Sequence, residues 1–159
     1  MKIHFLFPNK FKTLGWIFFI PSFFISLVIS IMNINIEKYL NTKVFAVIND
    51  EVFHSKKYFS IIENSIVDEL LLFGLIIGGI LIGFSKLKIE DEFTSKIRYE
   101  SLVWATYLNY GLILLFTIFI YGIPYLNVLF YNTFTLLLFF IIRFHYSIYK
   151  LNKIANDDE

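Results

Sequence analysis

Four mainly apolar runs, at residues 14–34, 66–84, 101–123 and 125–149, dominate this chain and restrict what it can fold into. A helix needs about 20 mainly apolar residues to cross the hydrocarbon core of a bilayer. Inside that core every backbone N–H and C=O must be satisfied internally, which a helix does. Composition agrees with that solvent. Hydrophobic residues make up 57% of the chain and charged residues 17%, against about 25% charged in ordinary soluble domains. A soluble fold of 159 residues cannot hide that much apolar surface. The expectation is one all-α integral membrane domain, a four-transmembrane-helix bundle with the lipid bilayer as its main partner.

The third and fourth spans are separated by Pro124 alone, which ends one helix, can open the next and makes a tight hairpin. Pro21 suggests a kink in the first span. Lys2, Lys10 and Lys12 precede a run too long for a secretory signal, with no small-x-small site after it, so it is read as a retained span. The stretch before it, MKIHFLFPNKF, is short, aromatic and basic and suits the interface. Orientation follows from Lys and Arg in the flanks. Lys2, Lys10, Lys12, Lys86, Lys88, Lys96, Arg98, Arg143, Lys150 and Lys153 fall on one side; Lys38, Lys43, Lys56 and Lys57 fall on the other. Both termini and the 85–100 connector are therefore expected in the cytoplasm, with the protein in the inner (plasma) membrane.

The outer loop, 35–65, is too long for a simple linker. Lys43–Ile48 and Glu51–His54 read as short strands around Asn49-Asp50, whose residues tolerate positive φ and suit a two-residue turn. Asn64 or Ser65 is expected to cap the next helix, with Asp68 closing a capping box. Asp68 and Glu69 then fall one turn inside the apolar run. They read as outer-interface acids at a helix start, where the dipole favours them, rather than as an intramembrane carboxylate pair.

Gly74, Gly78, Gly79 and Gly83 form two offset Gly-x-x-x-Gly repeats, which let helix backbones approach closely. The expected use is packing within the chain, with a homo-oligomer as second reading. The deep interior is nearly free of charge; Asn33 ends span one, Asn109 lies about two turns into span three, and Asn127, Asn132, Thr133 and Thr135 lie on span four. Near the inner end of span four, Arg143 can snorkel to headgroups or pair with Glu100, and His145 lies beside it.

Most catalytic classes find no foothold. There is no cysteine, so thiolate chemistry and disulfides are excluded. His4, His54 and His145 are scattered and form no convincing metal site, and no phosphate loop or nucleophile elbow is present. No basic tract points to nucleic acid. The chain is expected to carry no cofactor, no metal and no catalytic residue.

The connector KLKIEDEFTSKIRYE, 86–100, holds eight charges in fifteen residues. Leu87 or Ile89, Phe93, Ile97 and Tyr99 or Leu102 recur at helical spacing. Glu92 with Lys96, and Lys96 with Glu100, are opposite charges four apart. These predict a helix from about Glu90 running unbroken into span three, about 34 residues and about 50 Å long. Asp91, Glu92, Phe93, Lys96, Ile97 and Arg98 are the candidate partner-binding residues on this cytoplasmic extension of helix 3.

The segment DEFTSKIRYESL, 91–102, resembles the D-E-x-x-x-x-I-x-x-x-S/A segment that precedes a transmembrane helix in small uncharacterised four-span bacterial inner-membrane proteins. The outer-loop stretch YFSIIENSIVDEL and the hairpin IYGIPYLNVL extend the resemblance over most of the chain. Some such proteins are encoded beside small helix-turn-helix regulators, which implies a role in signalling or repressor control and no catalytic residue. The leading expectation is a non-enzymatic membrane accessory or regulatory protein that contacts a cytoplasmic regulatory protein. A small oligomeric transporter or channel is the alternative. An interfacial lipid-handling enzyme built on Glu100, Arg143 and His145 is a further one.

Overall fold

The computed structural model describes residues 5–32, 34–35, 39–49, 57–88 and 90–157. Four helices and two strands follow in the order α1 (Lys10–Met32), β1 (Asn41–Asn49), β2 (Lys57–Ser65), α2 (Val67–Gly83), α3 (Glu92–Phe119) and α4 (Ile123–Asp157). Three of the helices, α1, α3 and α4, are long and apolar enough to cross a membrane. The fourth, α2, has 17 residues, about 25 Å at 1.5 Å per residue and shorter than a typical hydrocarbon core.

The connector and span three form one uninterrupted helix of 28 residues, about 42 Å long. It starts at Glu92 rather than Glu90 because Asp91 takes the N-cap position, its carboxylate accepting from the Thr94 N–H at 2.7 Å. It stops at Phe119, with Ile120 extended and its N–H bonded to Phe116 O. The turn into α4 is made at Gly122, whose φ of 73° suits a residue without Cβ. Pro124 therefore sits inside the first turn of α4 rather than between the spans, in a position that spares it a missing hydrogen bond. α4 runs about two turns further than the apolar pattern, to Asp157.

The chain divides into two compact units, Pro21–Phe73 and the remainder, Met1–Ile20 with Gly74–Glu159. In the first, β1 and β2 pair antiparallel from Asn41 opposite Ser65 to Asn49 opposite Lys57. This corrects the expected two-residue turn at Asn49-Asp50. The partner of β1 is Lys57–Ser65, not Glu51–His54, and residues 50–56 lie outside the described ones. A two-residue turn would pair Ile48 with Glu51, whereas Ile48 opposes Tyr58. Tyr58, Phe59, Ile61 and Ile62 give β2 the aromatic and β-branched content that fits a pleated surface. The strand ends at α2: Ser65 Oγ donates to Tyr39 O at 2.9 Å and faces the Val67 N–H at 3.4 Å. Asp68 and Glu69 occupy the first turn of α2 and are exposed, with Asn64 Nδ2 donating to Glu69 at 3.4 Å.

In the second unit the glycines of α2 set the packing. A Cβ on Gly78 would lie 2.8 Å from Phe19 N and 2.9 Å from Gly15 O, so α1 and α2 cross backbone to backbone there. Gly79 lies under Leu137, and Gly83 lies under the Phe140 ring, which a Cβ would overlap. Three of the four predicted packing glycines thus meet α1 or α4 of the same chain, while Gly74 is half-buried. Leu75, Ile82, Ala105, Phe140 and Phe144, with Ile141 next, are the most deeply buried apolar side chains among the described residues. Phe140 stacks on Phe144, with centroids 5.9 Å apart. Away from that centre the helices present bare apolar surface: Ile17, Leu114, Ile118 and Phe119 are all mostly exposed. Continuous patches of that kind are rare on soluble proteins.

Candidate functional site

The polar groups gather where α2 ends and α3 begins. Helix α2 stops at Gly83, and the chain then bonds to the N-terminal segment. Phe7 N–H donates to Phe84 O, and Lys86 N–H donates to Phe7 O, both at 2.9 Å. Asn9 Nδ2 adds a bond of 2.7 Å to Lys86 O. The turn that follows is organised by a carboxylate. Glu90 Oε2 accepts from the Leu87 N–H at 2.9 Å. Both Glu90 oxygens also receive the guanidinium of Arg98, at 2.6 Å from Nη1 and 3.2 Å from Nη2. Arg98 Nη2 donates in addition to Ser85 O at 3.2 Å.

Arg98 is only 2% exposed. Its guanidinium carbon stands 4.9 Å from the centroid of the Phe144 ring, a cation–π distance. One side chain of α3 therefore joins the end of α2, the connector and α4. A buried charge is tolerated only when paired and hydrogen-bonded, and the two-pronged match of guanidinium to carboxylate meets that demand. Arg98 corrects the expectation that it faces a partner: it faces inward. Its neighbours on that face are Thr94, Ser101, Ala105 and Asn109, all buried. Small and polar residues line the inner side of α3 and large apolar ones the outer, as helix contacts in lipid require.

The other connector residues lie outside this clamp. Asp91, Glu92 and Lys96 are exposed, and Phe93 is half exposed. Ile97 packs against the Ala105, Phe140 and Phe144 cluster, as do Leu87 and Leu102. Ile89 lies outside the described residues, as do Asn33, Lys2, Lys38, Lys56, His4 and His54. The carboxyl of Asp91 is held below the usual carboxylate range, first by the Thr94 side chain and then by the Thr94 backbone N–H.

The expected Glu100–Arg143 pair does not form among the described residues. Glu100 meets Lys96 at 3.9 Å on the exposed face of α3. The Arg143 guanidinium instead lies 4.7 Å from the Trp104 ring centroid. Glu100 is one residue before the inward-facing Ser101 and points away, which separates it from α4. His145 is separate again. Its Nδ1 is 2.9 Å from Ile141 O, and its ring packs edge-on to Trp16 and Phe144 at 5.6 and 5.4 Å. Glu100, Arg143 and His145 therefore do not converge.

Between the first turns of α3 and the last of α4 lies an open groove of about 540 Å³. Phe93, Ile97, Trp104 and Ile142 line it with apolar surface, and Arg143 and Lys150 add two cations. Sequence reasoning named most of these residues without joining them, because the groove depends on how α3 and α4 pack. Six buried polar atoms have no partner among the described residues: Ser60 Oγ, Ser85 Oγ, Arg98 Nε, Ser101 Oγ, Asn109 Oδ1 and His145 Nε2. No three His, Asp or Glu side chains among the described residues come together as metal ligands.

Comparison of the chain with known protein families, curated proteins and solved structures finds no match.

Proposed function

We propose that this chain is a multi-pass inner-membrane protein that crosses the bilayer four times. It serves as a non-enzymatic accessory or regulatory protein and meets a cytoplasmic partner at the start of α3. The observation that carries this reading is the Arg98–Glu90 clamp. It anchors the first turns of α3 through buried bonds to two other segments. The same turns hold Asp91, Glu92, Lys96 and Glu100 outward. A fixed helix start with an exposed mixed-charge ridge suits docking, since little ordering is left to do on binding.

The fourth crossing is assigned to α2. Its 17 residues carry acids only in the first turn, and flanking residues and local thinning of the bilayer accommodate a short span. With both termini and the connector in the cytoplasm, the Lys and Arg distribution then follows the positive-inside rule. The transporter reading draws on Asn109, a buried amide whose oxygen has no partner among the described residues, but one amide does not make an ion path.

Site-specific photocrosslinking from position 96 or 92 in living cells tests the docking claim. The expected product is one discrete protein adduct, lost when Glu92→Lys and Lys96→Glu are combined. Adducts with lipid or with the chain itself alone, across growth conditions, would contradict it.

A further inference from the structure

The groove between α3 and α4 carries an inference that rests on the membrane reading above. We propose that it is a binding site for one phospholipid with an anionic headgroup. The headgroup lies on Arg143 and Lys150, and an acyl chain lies along Ile97, Trp104, Phe139 and Ile142.

Charge complementarity selects this occupant. Among the described residues two cations line the groove and no acid does. Among the described residues neither cation is held by a carboxylate: Arg143 lies against the Trp104 ring, and Glu100 and Glu90 are taken by Lys96 and Arg98. The rest of the lining is apolar or aromatic, with Ser147 as the one small hydroxyl. The volume, about 540 Å³, is that of a small-molecule site. Both walls belong to helices long and apolar enough to cross a membrane. An acyl chain in the groove therefore continues onto helix surface suited to hydrocarbon. Basic pockets between helices near the cytoplasmic surface suit acidic headgroups. The Arg143 guanidinium stands 4.7 Å from the centroid of the Trp104 ring, so cation, aromatic wall and donor for phosphate lie together in the groove.

The chain has two tryptophans, so Trp16→Phe leaves Trp104 as a reporter inside the site. The full chain is reconstituted into zwitterionic phosphatidylcholine vesicles. Part of the lipid is replaced by brominated phosphatidylglycerol or, in parallel, by brominated phosphatidylcholine. The expected result is half-quenching of Trp104 at a mole fraction of the anionic lipid about thirtyfold lower, as two cations near the surface imply. Replacing both cations, Arg143→Gln with Lys150→Gln, should bring the two lipids within about twofold of each other. Lys96→Gln, outside the lining, should leave the preference intact and so separates the groove from general attraction to acidic lipid. Equal quenching by the two lipids in the Trp16→Phe protein overturns the proposal without need of a groove variant. A preference that survives the double replacement overturns it as well. A chain that does not co-float with vesicles defeats the membrane reading and this inference together. One that co-floats but shows no headgroup preference defeats this inference alone.

Discussion

Arg98 grips Glu90 with both terminal nitrogens of its guanidinium although eight residues and the turn into α3 separate them. The pair closes the connector against the end of α2, so its removal should loosen that whole region. Arg98→Ala leaves Glu90 with only the Leu87 N–H and takes the guanidinium from the Ser85 carbonyl, and Glu90→Ala strands a buried cation. Each is expected to cost about 3–5 kcal/mol, the scale for breaking a buried pair. Arg98→Lys should rescue little, because an ammonium cannot reproduce the two-pronged contact. Removing both partners, Arg98→Met with Glu90→Met, should recover much of the loss. Denaturant titration in detergent micelles, followed by Trp fluorescence, gives the comparison.

The glycines of α2 make a sharper steric prediction. Gly78→Ala drives a methyl into the backbone of α1, which cannot yield as a side chain can. A loss of at least about 1–3 kcal/mol follows, the usual scale of overpacking. Gly111→Ala in α3 meets nothing within 4 Å and should instead stabilise the helix by up to about 1 kcal/mol. Thermal unfolding of the two variants in the same detergent should shift in opposite directions.

Asp91 links the start of α3 to pH. Its folded pKa is lowered, so its stabilising effect is complete above the ordinary carboxylate pKa. The effect is lost as pH falls through the lowered value. Hydrogen exchange at the first-turn amides, corrected for intrinsic rates, should quicken over that acidic window. Asp91→Asn should keep the cap but lose the pH dependence, and Asp91→Ala should exchange fast throughout.

The hairpin register can be read by disulfide trapping, since the chain has no cysteine of its own. Phe45 and Ile61 are directly opposed, at a separation that a disulfide can bridge. Phe45→Cys with Ile61→Cys should oxidise readily. Phe45→Cys with His54→Cys, the pair that a turn at Asn49-Asp50 would bring together, should not.

Features set by neighbours along the chain were legible in the sequence. The charge order of 91–100 announced the continuous helix, though not Asp91 as its cap, and the glycine spacing announced the close contact of α2. Features set by distant partners were not. Arg98 reads as a surface cation because Glu90 is eight residues back and the Ser85 carbonyl is a backbone group. Asn49-Asp50 reads as a tight turn, yet the paired strand begins at Lys57. Arg143 read as a partner for Glu100, but the single-residue step from Ser101 turns Glu100 to the other side of α3.

The central claim is that four helices cross the bilayer, with the connector and the C-terminal end on one side and the hairpin on the other. Single cysteines at Lys96, Asn152 and Lys43, probed with a membrane-impermeant maleimide on sealed right-side-out vesicles, test it most directly. The account predicts labelling from outside at position 43, and at 96 and 152 only after the vesicles are opened. Labelling of positions 43 and 96 from the same side would mean that α2 does not cross, and would contradict it.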